Sequence, residues 1–235
     1  MSQDEWALFD LAVKSVPRVY VWGPPCLGKS YAGQRALKID DQDLVRQVTL
    51  NEDIVVQELL GHFVPRGNVF EWHDGPVTTS FRKGEGLVIN ELARAGGAVK
   101  DMFLGILDGH EVASMSLPTG ERLKPNLGFR VVATANNPPT DLDEALQDRF
   151  DVVVHVTTPH PGVVLKLNSE MKGLGDFIRN SYLDPKRAIS PRRALVFVEF
   201  MKKRVPLETS ALMAFGERYA DIIALFKAKT ICVSS

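Results

Sequence analysis

Apolar and polar residues along this chain fall into short β-type runs that alternate with helical stripes. Arg18-Val19-Tyr20-Val21-Trp22 is rich in β-branched and aromatic side chains and predicts a strand. Residues 29–37 predict a helix, 45–50 a second strand, and 52–60 a helix capped by Asn51 and stopped at Gly61. From 63 to 76, β-rich pieces broken by Gly67 and by Asp74-Gly75 predict a hairpin insertion. Residues 86–90 predict a short buried strand. Over 97–108, Val99, Met102, Phe103, Ile106 and Leu107 share one helix face, with Gly109 after it. A second hairpin is expected over 111–124, turning at Pro118-Thr119-Gly120. Then come a strand at 129–135, a short helix at 142–146 and a fifth strand at 152–156.

This alternation predicts an α/β core with a parallel sheet covered by helices on both faces. Thr157-Thr158-Pro159-His160-Pro161-Gly162 breaks the pattern, and the chain beyond it reads as helical. Ser190-Pro191 reads as a cap followed by proline at the first helical position. Ala194, Phe197, Val198 and Met201 form one stripe, and Leu212, Phe215, Tyr219, Ile222 and Phe226 a second. The expected domains are a core over 1–158 and a small all-α lid over 159–235.

Composition narrows the class. The 235 residues are 45% hydrophobic, enough for a full globular core. No apolar run approaches the ~18 residues of a membrane helix, and the acidic start Met1-Ser2-Gln3-Asp4-Glu5 lacks a signal-peptide pattern. With only Cys26 and Cys232, no disulfide framework is expected, and a reduced, cytoplasmic setting fits. None of the histidines forms a zinc-ligand pattern. The net charge of -1 gives no reason to expect nucleic acid or a membrane as partner. The acidic run 40–43 reads as a solvated turn.

The most specific chemistry lies between the first strand and helix. Gly23-Pro24-Pro25-Cys26-Leu27-Gly28-Lys29-Ser30 fits the phosphate-binding loop G-x-x-x-x-G-K-[ST]. Its glycines let successive backbone N–H groups face one phosphate, and the helix after it adds its positive end. Lys29 can reach the β- and γ-phosphates of a nucleoside triphosphate, and the Ser30 hydroxyl can sit on Mg2+. Leu87-Val88-Ile89-Asn90-Glu91 is an apolar strand ending in a polar pair: Asn90 holds the place that supports Mg2+, and Glu91 the place of a general base. Thr134-Ala135-Asn136-Asn137-Pro138 ends another buried strand, so Asn136 can orient water at the same sheet edge. Arg149 comes just after a short helix, and Arg192 opens a later one. Taken alone, these also read as a strand end, a turn and two surface arginines; the loop ties them together.

Together these residues resemble the AAA+ ATPases, and within them the MoxR-like branch of CbbQ, NorQ and GvpN type, related to the midasin and dynein module. Besides the loop, the resemblance rests on Leu59-Leu60-Gly61, Val69-Phe70-Glu71-Trp72-His73-Asp74-Gly75-Pro76, Asn90-Glu91-Leu92-Ala93-Arg94-Ala95, Leu117-Pro118-Thr119-Gly120-Glu121, Phe129 to Asn136 and Ala145-Leu146-Gln147-Asp148-Arg149-Phe150. It implies a Walker A motif at 23–30, Walker B at Asn90-Glu91, sensor 1 at Asn136, an arginine finger at Arg149 and sensor 2 at Arg192. It also implies a helix-2 insert at about 62–77 and a presensor-1 hairpin at about 111–125, boundaries that rest on the same likeness. The family implies ATP and Mg2+ as cofactors, a ring oligomer (usually a hexamer), and a client or adaptor protein, often one with a von Willebrand A-type domain. Asn90 stands where the family has Asp, Ala93 where it usually has Asn, and Cys26 where a small residue is common. The neutral Asn90 leaves two alternatives beside a remodelling motor. One is a nucleotide-gated scaffold that hydrolyses little. The other, a nucleic-acid motor or loader, has only the thin basic set Arg66, Arg82 and Lys83 in its favour.

Overall fold

In the computed structural model, which describes residues 4–38, 44–184, 188–220 and 223–224, the chain opens with a helix that the hydrophobic pattern was not expected to form. Asp4 caps α1 (Glu5–Ser15) by accepting from Trp6 N at 3.1 Å, and the helix buries Trp6, Phe9, Ala12 and Val13. That spacing is a helical stripe behind a capping aspartate, a signal present in the sequence. β1 (Arg18–Trp22) and α2 (Lys29–Leu37) have the expected bounds, and β2 (Val45–Thr49) ends one residue early.

α3 (Val56–Leu60) corrects the helix expected over 52–60. Asn51 does not cap it. Its side chain accepts from Asp53 N and Ile54 N at 3.0 and 2.9 Å, closing a tight turn. Asparagine competes for local N–H groups in this way, and the helix waits until after the extended Val55.

β3 (Gly61–Arg66) and β4 (Val69–Asp74) form the first hairpin. Pro76, expected to end it, instead opens α4 (Pro76–Lys83), where a missing N–H costs nothing. β5 (Gly86–Asn90), α5 (Gly97–Ile106), β6 (Met115–Ser116), β7 (Arg122–Leu123), β8 (Arg130–Ala135), α6 (Glu144–Gln147) and β9 (Val152–His155) complete the α/β part. The second hairpin is shorter than expected. Its ladder pairs only Met115 with Leu123 and Ser116 with Arg122.

The five-stranded sheet runs β2-β5-β8-β1-β9, parallel throughout. Every residue of β5 is buried, as in a strand covered on both faces. After β1 the chain crosses to β2 at one edge and works back to β8; β9 then lies on β1's other side. The end of β1 is therefore the switch point at which such sheets bind ligands. The register lines up Thr49 with Asn90 and Asn90 with Thr134, placing three polar side chains side by side at that edge.

The described chain divides into two compact units, with 25–27 and 158 onward forming the second. That unit is helical: α7 (Pro161–Glu170), α8 (Leu174–Ser181), α9 (Pro191–Lys202) and α10 (Leu207–Phe215). Ala194, Phe197 and Val198 of the expected stripe are buried in its core, where the Phe197 and Phe215 rings lie 5.4 Å apart. The stripe beginning at Leu212 is corrected. α10 stops at Phe215 before Gly216, Leu212 is exposed, and Ser210, Ala211, Ala214 and Phe215 face inward. Ile222 and Phe226 of that stripe, like the acidic run 40–43, lie outside the described residues.

The first hairpin is tied down through Trp72 and Asp74. Trp72 packs edge-on against Phe63, and its indole N–H donates to Asp74 at 2.7 Å. Arg82 donates to Asp74 at 2.7 Å and, through two nitrogens, to Glu121 at 2.7 and 3.0 Å. α4 thus holds both hairpins. Burial pushes the Asp74 carboxyl up, but the Arg82 and Trp72 donors outweigh it and hold it below the usual range. Phe70, by contrast, is 73% exposed. Trp72→Ser is expected to destabilise the fold by about 1–3 kcal/mol, and Phe70→Ser by less than about 0.5. Denaturant midpoints of the two variants would separate these outcomes.

Candidate functional site

The loop between β1 and α2 holds an uncommon backbone. Gly23 has φ +151°, and a Cβ there would sit 1.9 Å from the Val156 carbonyl oxygen, so only glycine fits. Gly28 has φ +96°, and Cys26, unusually for a side-chain-bearing residue, has φ +67°. α2 starts at Lys29 with no side chain capping it, which leaves the N–H groups of its first turn to a ligand.

Lys29 is 6% exposed, and its ammonium folds back on the loop. Nζ donates to the carbonyls of Gly23 and Pro24 at 2.8 and 2.7 Å, and to Asn136 Oδ1 at 3.2 Å. Asn136 passes the contact on, its Nδ2 donating to Glu91 Oε1 at 2.9 Å. One amide therefore bridges a cation and a carboxylate, with each end of its dipole facing the opposite charge. Glu91 takes part because its backbone is left-handed, at φ +60° and ψ +40°, directly after the buried strand. Such a conformation costs on the order of 1 kcal/mol and concentrates at functional sites. Beside this line, Tyr20 donates to the Asn137 carbonyl at 3.4 Å; burial first, then the charges of Asp141 and Glu91, push its phenol well above its ordinary value.

Asn90 ends β5 and uses both ends of its amide. Oδ1 accepts from Ser30 Oγ at 2.7 Å and from Thr134 Oγ1 at 2.8 Å, and Nδ2 donates to Thr49 Oγ1 at 3.2 Å. Because Ser30 spends its proton on Asn90, both its lone pairs are available to a cation. A hydroxyl ligand at Ser30, held by Asn90 from behind, suits a hard, hydrated ion such as Mg2+, which keeps several of its waters. The cradle and the ammonium likewise fit a nucleoside triphosphate.

The structure thus brings Lys29, Ser30, Asn90, Glu91 and Asn136 together. Arg149 is elsewhere, just past α6. Its guanidinium reaches the Ala145 carbonyl at 3.4 Å and Asp108 at 3.5 Å, and its buried Nε has no partner among the described residues. Arg192 is exposed on the first turn of α9, in the helical unit. Sequence reasoning assigned no role to Thr49 or Thr134. A hydroxyl residue near the end of a strand was the only local signal for either.

Comparison with known proteins agrees with this geometry. Residues 18–150 match the AAA domain of the dynein-related subfamily. The chain is 25% identical over 176 residues to protein NorQ of Paracoccus denitrificans, covering 73% of this chain and 64% of that protein. It is 27% identical over 154 residues to midasin of Dictyostelium discoideum, covering 57% of this chain but 3% of midasin. It also matches the uncharacterized protein YojN of Bacillus subtilis, 26% identical over 161 residues, covering 65% of this chain and 52% of that one. The chain thus spans under two thirds of each of these relatives. Among solved structures, two RuvB variants of Thermotoga maritima superpose with TM-scores of 0.53 and 0.55, covering 86% and 91% of this chain and 62% and 68% of theirs. At their 14% identity this likeness shows the fold alone. The match over 18–150, with the parallel sheet and its loop, makes this chain a member of the AAA+ family, with an AAA domain of the dynein-related, MoxR-like type.

Proposed function

We propose that this protein binds ATP with Mg2+ at residues 23–30 and couples hydrolysis, in a hexameric ring, to remodelling or maturation of a partner protein. What carries the reading is the hydrogen-bonded line Lys29–Asn136–Glu91 beside the Ser30–Asn90 pair, all at the carboxyl edge of a parallel sheet. Lys29 exchanges its loop carbonyls for the β- and γ-phosphates. Glu91 accepts the proton of the attacking water, and Asn136 orients that water. Bound Mg2+, held through Ser30 with support from Asn90, would neutralise charge growing on the phosphate oxygens. Arg149 would serve the site of the neighbouring subunit, and Arg192 would sense the nucleotide from the helical lid.

The hairpin of β3 and β4, with Phe70 exposed beside its turn, is the surface offered to the client or to an adaptor carrying a von Willebrand A-type domain. Nucleic acid is disfavoured because the basic residues nearby are already matched. Arg66 pairs with Glu71, Arg82 with Asp74 and Glu121, and Lys83 with Glu85. A nucleotide-gated scaffold remains the second reading, favoured by the neutral Asn90.

Lys29→Ala tests the core of the proposal. At about 100 times Kd, Mg-ATP should stabilise the wild type by about 2.7 kcal/mol, read as a rise in melting temperature. The variant should fold and lose that rise. An undiminished ATP-induced shift in Lys29→Ala would remove Lys29 from the phosphate site.

A further inference from the structure

Asn90 raises a problem that an aspartate would not. A carboxylate presents two equivalent oxygens, but an amide has a right and a wrong way round. In the orientation found, Oδ1 takes the protons of Ser30 and Thr134. Turned over, Nδ2 would donate to Ser30, leaving the Ser30 oxygen a single lone pair for a cation and the Ser30 proton without Asn90 as acceptor. The hydroxyl proton of Thr134, a residue only 3% exposed, would then lose its acceptor. A buried donor without a partner is costly. Thr49, on the amide's other side, is exposed and imposes no such preference, since solvent can take its hydroxyl proton.

We infer that Thr134 is a positioning residue: its buried hydroxyl locks the Asn90 amide with oxygen toward Ser30 and so lets a neutral side chain support the metal-bound nucleotide. The inference rests on the proposed ATP reading and deepens it. The sheet register that sets Asn90 beside Thr134 makes the lock part of the core, independent of nucleotide.

Binding of fluorescently labelled ATP, monitored while Mg2+ is titrated into EDTA-treated protein, tests it in two backgrounds. With Asn90 present, Thr134→Val should raise the Mg2+ concentration for half-maximal binding about twofold, because the competent amide orientation falls from nearly all of the population to about half. Thr134→Ser, which keeps the hydroxyl, should bring it back. In an Asn90→Asp background, Thr134→Val should leave the half-point unchanged, because a carboxylate has no wrong orientation and keeps its Ser30 bond. Equal shifts in both backgrounds would mean that valine merely disturbs the strand, and the inference would fall. No shift with Asn90 present would also overturn it while leaving the ATP site standing. Wild-type protein that binds the nucleotide without Mg2+ dependence, or not at all, would overturn the metal-supported reading and this inference with it. Should valine unfold the strand, Thr134→Cys supplies a weaker donor of similar size, and a shift must appear there as well.

Discussion

Arg149→Ala is expected to bind ATP almost as the wild type does and to lose turnover by about a thousandfold or more, the usual worth of an arginine finger. The reason lies in where its guanidinium is held. It touches Ala145 and Asp108 of its own subunit through contacts of 3.4 and 3.5 Å, both long for hydrogen bonds, and no residue of the phosphate loop. An arginine so loosely tied loses little by turning to a phosphate on the neighbouring subunit. Its removal also relieves a buried Nε that has no partner among the described residues, so the fold should survive. Steady-state hydrolysis beside a nucleotide-binding titration separates the two effects. Mixing Arg149→Ala with Glu91→Gln should restore part of the rate, because an intact Glu91 site can then face an intact Arg149 on its neighbour. Wild-type turnover in the single variant would end the finger assignment and, with it, the main catalytic reason for a ring.

Glu91→Gln should slow hydrolysis by about 10²- to 10⁴-fold, the range for a lost general base, with ATP affinity retained. The substitution is clean here. Glutamine offers the same Oε1 to Asn136 Nδ2, so the line from Lys29 through Asn136 keeps its geometry and only the base is gone. Single-turnover hydrolysis at saturating Mg-ATP is the measurement. It also separates a motor from a scaffold. A wild type no faster than Glu91→Gln would show that the chain never used Glu91 as a base, and ATP would act there by holding an assembled state.

The loop of residues 23–30, the strands around it and the order in which they alternate with helices were legible in the chain itself. A motif of fixed spacing flanked by a β-branched run and a helical stripe depends only on neighbours in sequence, and β1, α2 and β5 lie where that pattern puts them. The misreadings were local competitions decided by a single side chain. Asn51 closed a turn where it was expected to cap a helix, and Pro76 opened a helix where it was expected to end a hairpin. What no local pattern carried was which side chains would meet. Asn90 finds Thr134 across 44 residues of chain and Thr49 across 41. Lys29 finds Asn136 across 107. Trp72 is committed to Asp74 and Phe63. These partnerships depend on strand order and register, set when the whole sheet buries its apolar faces together. The chain thus specified by itself which chemical groups the site would have. Only the folded sheet decided that an uncharged Asn90 would be held between hydroxyls, with its oxygen turned toward Ser30.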